Sequence, residues 1–81
     1  MTILSIEPLR GDAAKFIDFE YFAWAIIGAE TGNRKGKIAP RREWVENIVG
    51  ACKAAGVPVF MKDSLADIWG GPLLREFPWE K

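Results

Sequence analysis

Three short apolar runs, each ending at charged or turn-forming residues, constrain the fold of this chain more than any other feature. The runs cover residues 3–6, 24–28 and 57–61. Uninterrupted apolar runs are typical of parallel strands, because such strands are covered on both faces of their sheet. The runs therefore predict an α/β fold with three parallel strands. The first strand begins at Thr2 and ends before Pro8, which cannot donate a ladder hydrogen bond.

The segment between the first two strands is predicted to pack on the sheet. Residues 12–22 carry Phe16, Phe19 and Phe22, which are too many large apolar side chains for a free loop. Asp18 can cap a short helical turn within this segment. A parallel pair needs a crossover of about a dozen residues, and this connection is just long enough to be one.

One amphipathic helix is predicted between the second and third strands. After Pro40, apolar residues recur at three- and four-residue spacing: Trp44, Val45, Ile48, Ala51, Cys52 and Ala55. This spacing gives an apolar stripe along one side of a helix. Lys53 complements the helix dipole near its C-terminus, and Gly56 supplies a left-handed cap.

Short helical segments are expected after the third strand. Ser64 and Asp67 have the spacing of a capping box, so a helix should start at Leu65 and stop at the glycine pair 70–71. Pro72 then suits the first position of another short turn that runs to Phe77. Three strands cannot close a barrel, so the sheet is expected to have two open edges.

The composition excludes several classes of function. The 81 residues include 11 basic and 11 acidic side chains, so no net field attracts nucleic acid or an anionic membrane. Cys52 is the single cysteine and there is no histidine, which excludes an internal disulfide and Ser-His-Asp catalysis and argues against a zinc or iron–sulfur site made by this chain alone. A lone thiol fits a reducing, cytosolic setting. No apolar run reaches the roughly 18 residues of a membrane span.

Charged residues follow each predicted strand at the point where it ends. Glu7 follows the first strand, Glu30 the second, and Lys62 with Asp63 the third. The carboxyl ends of parallel strands meet at one edge of the sheet, so these side chains should share a rim. Carboxylates beside a lysine can orient a polar ligand or transfer a proton, which makes Glu7, Glu30 and Lys62 the candidate catalytic residues. The alternative is a set of ion-paired or solvated strand ends.

The loop after the second strand is the candidate ligand-binding segment. The residues assigned to ligand binding are Gly28, Thr31, Gly32, Asn33, Arg34 and, at the end of the third strand, Asp63. Backbone amides in a glycine-flanked turn can approach a phosphate or a carboxylate. The turn is not a G-x-G-x-x-G fingerprint. Lys35 and Lys37 extend the cationic run, for which surface solubility is the alternative explanation.

Tryptophans offer a further choice between function and packing. Trp44, Trp69 and Trp79 could stack nucleic-acid bases. The neutral charge gives no electrostatic footprint for nucleic acid, so we expect Trp44 in the core and the other two sealing one end of the sheet. Cys52 is expected to be a small buried apolar residue.

Three segments together resemble a known family. They are residues 4–9 (LSIEPL), 24–32 (WAIIGAETG) and 54–62 (AAGVPVFMK), in this order and with similar gaps. They resemble the C-terminal part of the phage gp-thirty-seven/gp-sixty-eight family, a group of unknown function that looks like radical S-adenosylmethionine barrels and is distantly akin to spore photoproduct lyase. The resemblance covers essentially the whole chain.

The resemblance implies a partial TIM-barrel-like unit, roughly the last third of a barrel and a single partial domain over residues 1–81. Glu7, Glu30 and Lys62 would lie at the barrel mouth, near substrate or S-adenosylmethionine. The family's cysteine-rich motif, suited to an iron–sulfur cluster, lies upstream of these segments and is not in this chain, so the chain alone should be catalytically incomplete. The expected partner is the missing N-terminal part of the barrel or a second copy of the chain. Two alternatives remain, namely a self-associating interaction module and a small protein that binds an anionic ligand through Arg34, Lys35 and Lys37.

Overall fold

The computed structural model describes residues 1–9, 11–29 and 40–79. In chain order the elements are strand β1 (Ile3–Ile6), 3₁₀ turns at Ala14–Phe16 and Phe19–Tyr21, strand β2 (Trp24–Ile27), helix α1 (Arg42–Ala55), strand β3 (Val59–Met61), a 3₁₀ turn at Asp63–Leu65 and helix α2 (Ala66–Trp69). The strands form one parallel sheet in the order β1-β2-β3. The predicted α/β class, with three parallel strands, one main helix and short C-terminal helices, is confirmed.

Helix α1 covers one face of the sheet and forms the core with it. The register pairs Leu4 with Ala25 and Ala25 with Val59, so these side chains lie on the same face. Among the residues fully buried between the sheet and α1 are Ala25, Ile27, Val59, Met61, Val45, Ile48 and Cys52. Val49 is also buried, although the predicted stripe did not include it.

The ends of α1 are close to the predicted ones. The helix starts at Arg42, two residues beyond Pro40, and Gly56 follows it with φ of 73°. Only glycine adopts this left-handed conformation without strain, and the Gly56 N–H closes the helix by donating to the carbonyls of Cys52 and Lys53. Trp44, expected in the core, is instead half-buried and packs against the core from its margin.

The predicted side-chain caps are absent at the described turns. Asp18 precedes the turn Phe19–Tyr21, yet its side chain makes no capping hydrogen bond. Helix α2 starts at Ala66, one residue after the predicted position, and its N-terminus also has no side-chain cap. The Ser64 hydroxyl lies inside the preceding 3₁₀ turn, so it is not available as the first residue of a capping box.

The segment after Pro72 is extended, which corrects the helical turn predicted there. Arg75 forms an antiparallel bridge with Phe60 of β3. The Met61 N–H donates to the Leu74 carbonyl (2.7 Å), and the Glu76 N–H donates to the Val59 carbonyl (2.9 Å). We call residues 72–79 the strap. It covers the outer edge of β3, so the prediction of two open edges is wrong at this edge, whereas no strand among the described residues pairs with the outer edge of β1.

The second face of the sheet, opposite α1, is covered less completely than the apolar runs predicted. Trp24, Ile26 and Phe60 on this face are half-buried, and Ile3 is 48% exposed. Phe77 and Trp79 of the strap pack beside Trp24, with ring centroids 5.8 and 5.6 Å from its ring. The strap therefore supplies the partial cover of this face. No helix in the described part of the chain is long and apolar enough to span a membrane.

Candidate functional site

An ion pair joins the ends of the two outer strands. Glu7 follows β1 and Lys62 follows β3, and the Lys62 ammonium lies 2.8 Å from a carboxylate oxygen of Glu7. The two side chains are 44% exposed for Lys62 and 37% for Glu7, so the pair is in contact with solvent. Because all three strands are parallel, their carboxyl ends lie on the same side of the sheet. The ion pair between Glu7 and Lys62 therefore spans the end of β2, which lies between β1 and β3. We call Glu7, Gly28, Lys62 and Asp63 the rim.

Gly28 makes room for this ion pair. A Cβ atom at position 28 would lie 3.1 Å from Cγ of Glu7 and 3.3 Å from its Cδ. Backbone hydrogen bonds fix the glycine, because its N–H donates to the Ile6 carbonyl (3.0 Å) and its carbonyl accepts from the Leu9 N–H (2.8 Å). The missing side chain at the end of β2 thus lets the Glu7 carboxylate lie against the backbone and meet Lys62.

Backbone and hydroxyl groups hold the neighbouring strand ends together. The Lys62 N–H donates to the Ile27 carbonyl (2.9 Å), which extends the β2–β3 ladder by one residue. The Ser64 hydroxyl accepts a hydrogen bond from the Ala29 N–H (2.9 Å). Ser64 therefore anchors the first residue after Gly28 to the turn that follows β3.

A second ion pair brings the strap to the rim. The Arg75 guanidinium contacts the Asp63 carboxylate and also lies over the Phe60 ring, 4.7 Å from its centroid. The Asp63 side chain is 93% exposed and that of Arg75 is 40% exposed, so this pair is solvated. An exposed ion pair contributes roughly 0–1 kcal/mol to stability. Either group can therefore leave its partner and bind a charged ligand instead at little cost in free energy.

A concavity of about 320 Å³ lies between these groups, lined by Glu7, Phe60, Lys62, Asp63, Ser64 and Arg75. Its wall offers two carboxylates, two cations, one hydroxyl and one aromatic ring. Opposite charges a few ångströms apart suit a polar ligand that itself carries both signs, because each charged group of the ligand can replace one partner of an existing ion pair. The Glu7 carboxylate beside the Lys62 ammonium is also an arrangement that can exchange a proton with a bound group.

The structure brings together part of the predicted site. Glu7, Lys62, Asp63 and Gly28 lie at one edge, as expected from parallel strands. Other predicted residues lie outside the described part of the chain: Glu30, Thr31, Gly32, Asn33, Arg34, Lys35 and Lys37. Their proposed roles stay predictions.

Sequence reasoning missed two polar residues of this concavity, and it placed Phe60 only as a strand residue. Ser64 was assigned to a helix cap, and Arg75 was placed in a helical turn. No sequence signal separates a serine that caps a helix from one that anchors a neighbouring loop. The arginine could have been found only by recognising the alternation Arg75, Phe77, Trp79 as an extended segment.

The only cysteine is not part of the site. Cys52 lies on α1 and is fully buried. Burial raises the pKa of its thiol to about 11, with a smaller contribution from the charge of Glu76. Within residues 1–9, 11–29 and 40–79, no group of three His, Cys, Asp or Glu side chains could hold a metal ion.

Fold and rim together define a small parallel α/β protein with oppositely charged groups at the carboxyl ends of its strands. The family model described as "Protein of unknown function (DUF5131)" matches residues 1–71. The chain belongs to this family. No curated protein and no solved structure matches it.

Proposed function

We propose that this chain forms the C-terminal part of a barrel protein of the phage gp-thirty-seven/gp-sixty-eight type, similar to radical S-adenosylmethionine enzymes. Its part is to bind the polar portion of a ligand at the rim, and it is catalytically incomplete by itself. The observation that carries the proposal is the Glu7–Lys62 ion pair, which joins β1 to β3 over Gly28 at the carboxyl edge of the sheet. In parallel barrels this edge holds the ligand.

The sheet supports the barrel part of the proposal. Consecutive parallel strands in the order β1-β2-β3, with a helix on one face, are the repeating arrangement of a barrel wall. The opposite face carries Ile3, Trp24, Ile26 and Phe60, and apolar side chains of this kind fill the interior of such a barrel. The outer edge of β1, which has no partner strand among the described residues, is where a preceding strand would pair.

The two cofactors of the proposed parent fit this chain differently. An iron–sulfur cluster needs several thiolates, and Cys52, the one cysteine, lies in the core with its thiol pKa raised to about 11. The chain therefore does not fit a cluster. S-adenosylmethionine carries an ammonium and a carboxylate, for which Glu7 and Lys62 are complementary partners. The chain's own groups would bind and orient this part of the molecule.

Titration calorimetry with S-adenosylmethionine tests the ligand assignment. We expect weak binding that is lost in Glu7→Gln and in Lys62→Met. The matched control is Lys53→Met, which removes the same charge near the end of α1, away from the rim. Binding that survives both rim substitutions, or no binding to the wild-type chain, would contradict the assignment.

Reconstitution tests the catalytic part. Incubation of the chain with iron, sulfide, a reductant and S-adenosylmethionine should give no cluster absorption and no 5′-deoxyadenosine. Appearance of cluster absorption or of 5′-deoxyadenosine would overturn the proposal of an incomplete enzyme. Reading the gene sequence upstream of Met1 is an independent test, because a cysteine motif in frame there is the expected result.

Self-association through β1 is a second candidate. It is favoured by the outer edge of that strand, which pairs with no strand within residues 1–9, 11–29 and 40–79, and by the 48% exposure of Ile3. The carbonyls of Thr2 and Ile6 accept from the β2 side, so by alternation the N–H of Ser5 points away from β2. Ser5→Pro should leave the monomer folded and abolish association in sedimentation, whereas Ser5→Ala should associate as wild type does. A monomeric wild-type chain at high concentration would remove this candidate.

A further inference from the structure

We propose that the outer edge of β3, together with Trp24 and Phe60, is a docking surface for an extended peptide, and that its partner is the strap of a second copy of this chain. In the single chain this surface is occupied by the chain's own strap. The inference concerns the outer edge of β3 in the chain by itself and does not use the rim as a ligand site. It competes with barrel closure, because a closed barrel would bury Trp24 and Phe60 in its interior.

The strap is bound in the manner of an added β-strand. Its backbone pairs with β3 through the Leu74 carbonyl and the Glu76 N–H. The Glu76 carboxylate also accepts a hydrogen bond from the Val59 N–H (2.9 Å), and the Trp24 indole N–H donates to the Glu76 carbonyl (2.9 Å). Backbone pairing at a sheet edge is one of the recurring ways in which proteins bind extended peptides.

Alternate side chains of the strap make the specific contacts with Trp24 and Phe60. Arg75, Phe77 and Trp79 are spaced two residues apart, and side chains at this spacing lie on one side of an extended segment. Arg75 lies over the Phe60 ring, and Phe77 packs 5.5 Å from Phe60 and 5.8 Å from Trp24, measured between ring centroids. Trp79 stacks on Phe77 (5.1 Å) and meets Trp24 edge-on (5.6 Å). The surface thus binds a segment with the sequence pattern Arg-x-Phe-x-Trp.

The strap lies at the surface, with Leu73 and Leu74 packed against the margin of the core. None of residues 72–79 is buried, and Trp79 is 66% exposed. A concavity of about 600 Å³ separates part of the strap from the end of α1, lined by Lys53, Gly56, Val57, Pro58, Arg75, Glu76 and Phe77. Contacts at the β3 edge, together with Leu73 and Leu74 at the core margin, therefore attach the segment, and no fully buried residue has to leave the core for it to detach.

A glycine hinge lies between α2 and the strap. Gly70 closes α2 with φ of 72°, and Gly71 follows it directly. Two adjacent glycines allow the chain to leave α2 in a different direction at low conformational cost. The match to the family model ends at residue 71, so the strap lies beyond the segment that the family pattern describes.

A second copy is the occupant that these features favour. Its strap would make the same backbone and aromatic contacts as the strap it replaces, so exchange costs little beyond the entropy of association. In the single chain the tether gives the strap an effective concentration on the order of 1 mM, so exchange should appear only at high protein concentration.

A labelled synthetic peptide with the sequence of residues 73–79 tests the docking surface, with fluorescence anisotropy as the readout. The full chain carrying Phe77→Ala and Trp79→Ala keeps the surface but weakens its own strap, so it should bind the peptide about tenfold more tightly than wild type. The matched control Phe16→Ala, Tyr21→Ala removes two exposed aromatic rings elsewhere and should bind as wild type does. A scrambled peptide should not bind.

A variant of the surface completes the test. Phe60→Leu keeps an apolar side chain at this position and removes the ring under Arg75 and Phe77. In the weakened-strap background it should lower peptide affinity at least fivefold. Circular dichroism of α1 confirms that each variant is folded. Equal binding of the native and scrambled peptides to the folded weakened-strap variant would overturn the docking surface.

Sedimentation tests the second copy as occupant. Wild type should form dimers as its concentration approaches about 1 mM, and excess peptide should dissociate them. The weakened-strap variant should stay monomeric at the same concentration, and Ser5→Pro should dimerise as wild type does, because this dimer does not use the β1 edge. Peptide binding by a chain that never dimerises would overturn the second copy as partner, and a dimer lost in Ser5→Pro would assign association to β1 instead.

Discussion

The two faces of the sheet are both apolar, yet they are covered by different means. Helix α1 seals one face, where Ala25, Ile27, Val59 and Met61 are fully buried. The strap only partly covers the other face, where Trp24, Ile26 and Phe60 remain half-buried. A 14-residue helix offers a continuous apolar stripe, whereas an extended segment offers only alternate side chains. The first face therefore holds the fold together, and the second stays partly exposed.

The largest expected effect is on the α1 face. Ile48→Ala removes a fully buried side chain from α1 and should lower the free energy of unfolding by about 3 kcal/mol, because it loses apolar burial and leaves a cavity in the core. Ile26→Ala makes the same change on the second face and should cost about 1.5 kcal/mol, since that side chain is only partly buried. Urea denaturation measures both. Equal losses would remove the distinction between the faces.

A smaller effect on the same face depends on pH. The raised pKa of Cys52, about 11 against an ordinary 9.0, means that the unfolded chain loses the thiol proton before the folded chain does. Stability from this group is therefore full below about pH 9 and is lost as the pH rises towards 11. Cys52→Ala should show a weaker decline over this interval in denaturation at constant salt. Parallel pH profiles would contradict the shift.

The strap should contribute less than the core. Phe77→Ala removes a ring that packs on Trp24 and Phe60, and we expect a loss of about 1 kcal/mol in unfolding free energy. Phe16→Ala is the control, because that side chain is 81% exposed and should change stability by only a few tenths of a kcal/mol. A Phe77 loss as large as that of Ile48→Ala would make the second face part of the core.

The rim should contribute least to stability. A double-mutant cycle of Glu7→Gln and Lys62→Met should give a coupling of about 0.5 kcal/mol that falls as salt is added, because both side chains are partly exposed. Lys53→Met combined with Glu7→Gln is the control pair and should show no coupling. A coupling that is large and insensitive to salt would indicate a desolvated, structural ion pair.

The main elements could be predicted because their signals are local. Apolar runs at residues 3–6 and 24–28 gave the strands, and the stripe through Val45 and Ile48 gave α1, with Gly56 marking its end. The meeting of Glu7 and Lys62 followed from one assumption, that the strands are parallel. Neither Ser64 nor Arg75 could be placed in this way, because each acts on a segment distant in the chain.

The sequence by itself determined the strands, α1 and the charged residues that end each strand. The spacing of apolar residues and the chemistry of turns act over a few neighbouring residues, so both can be recognised locally. Tertiary structure alone decided that the strap runs antiparallel along β3 and that α1 seals only one face. Both outcomes depend on which surfaces meet after the chain has folded. A continuous apolar run does not indicate which face of the strand will be fully buried.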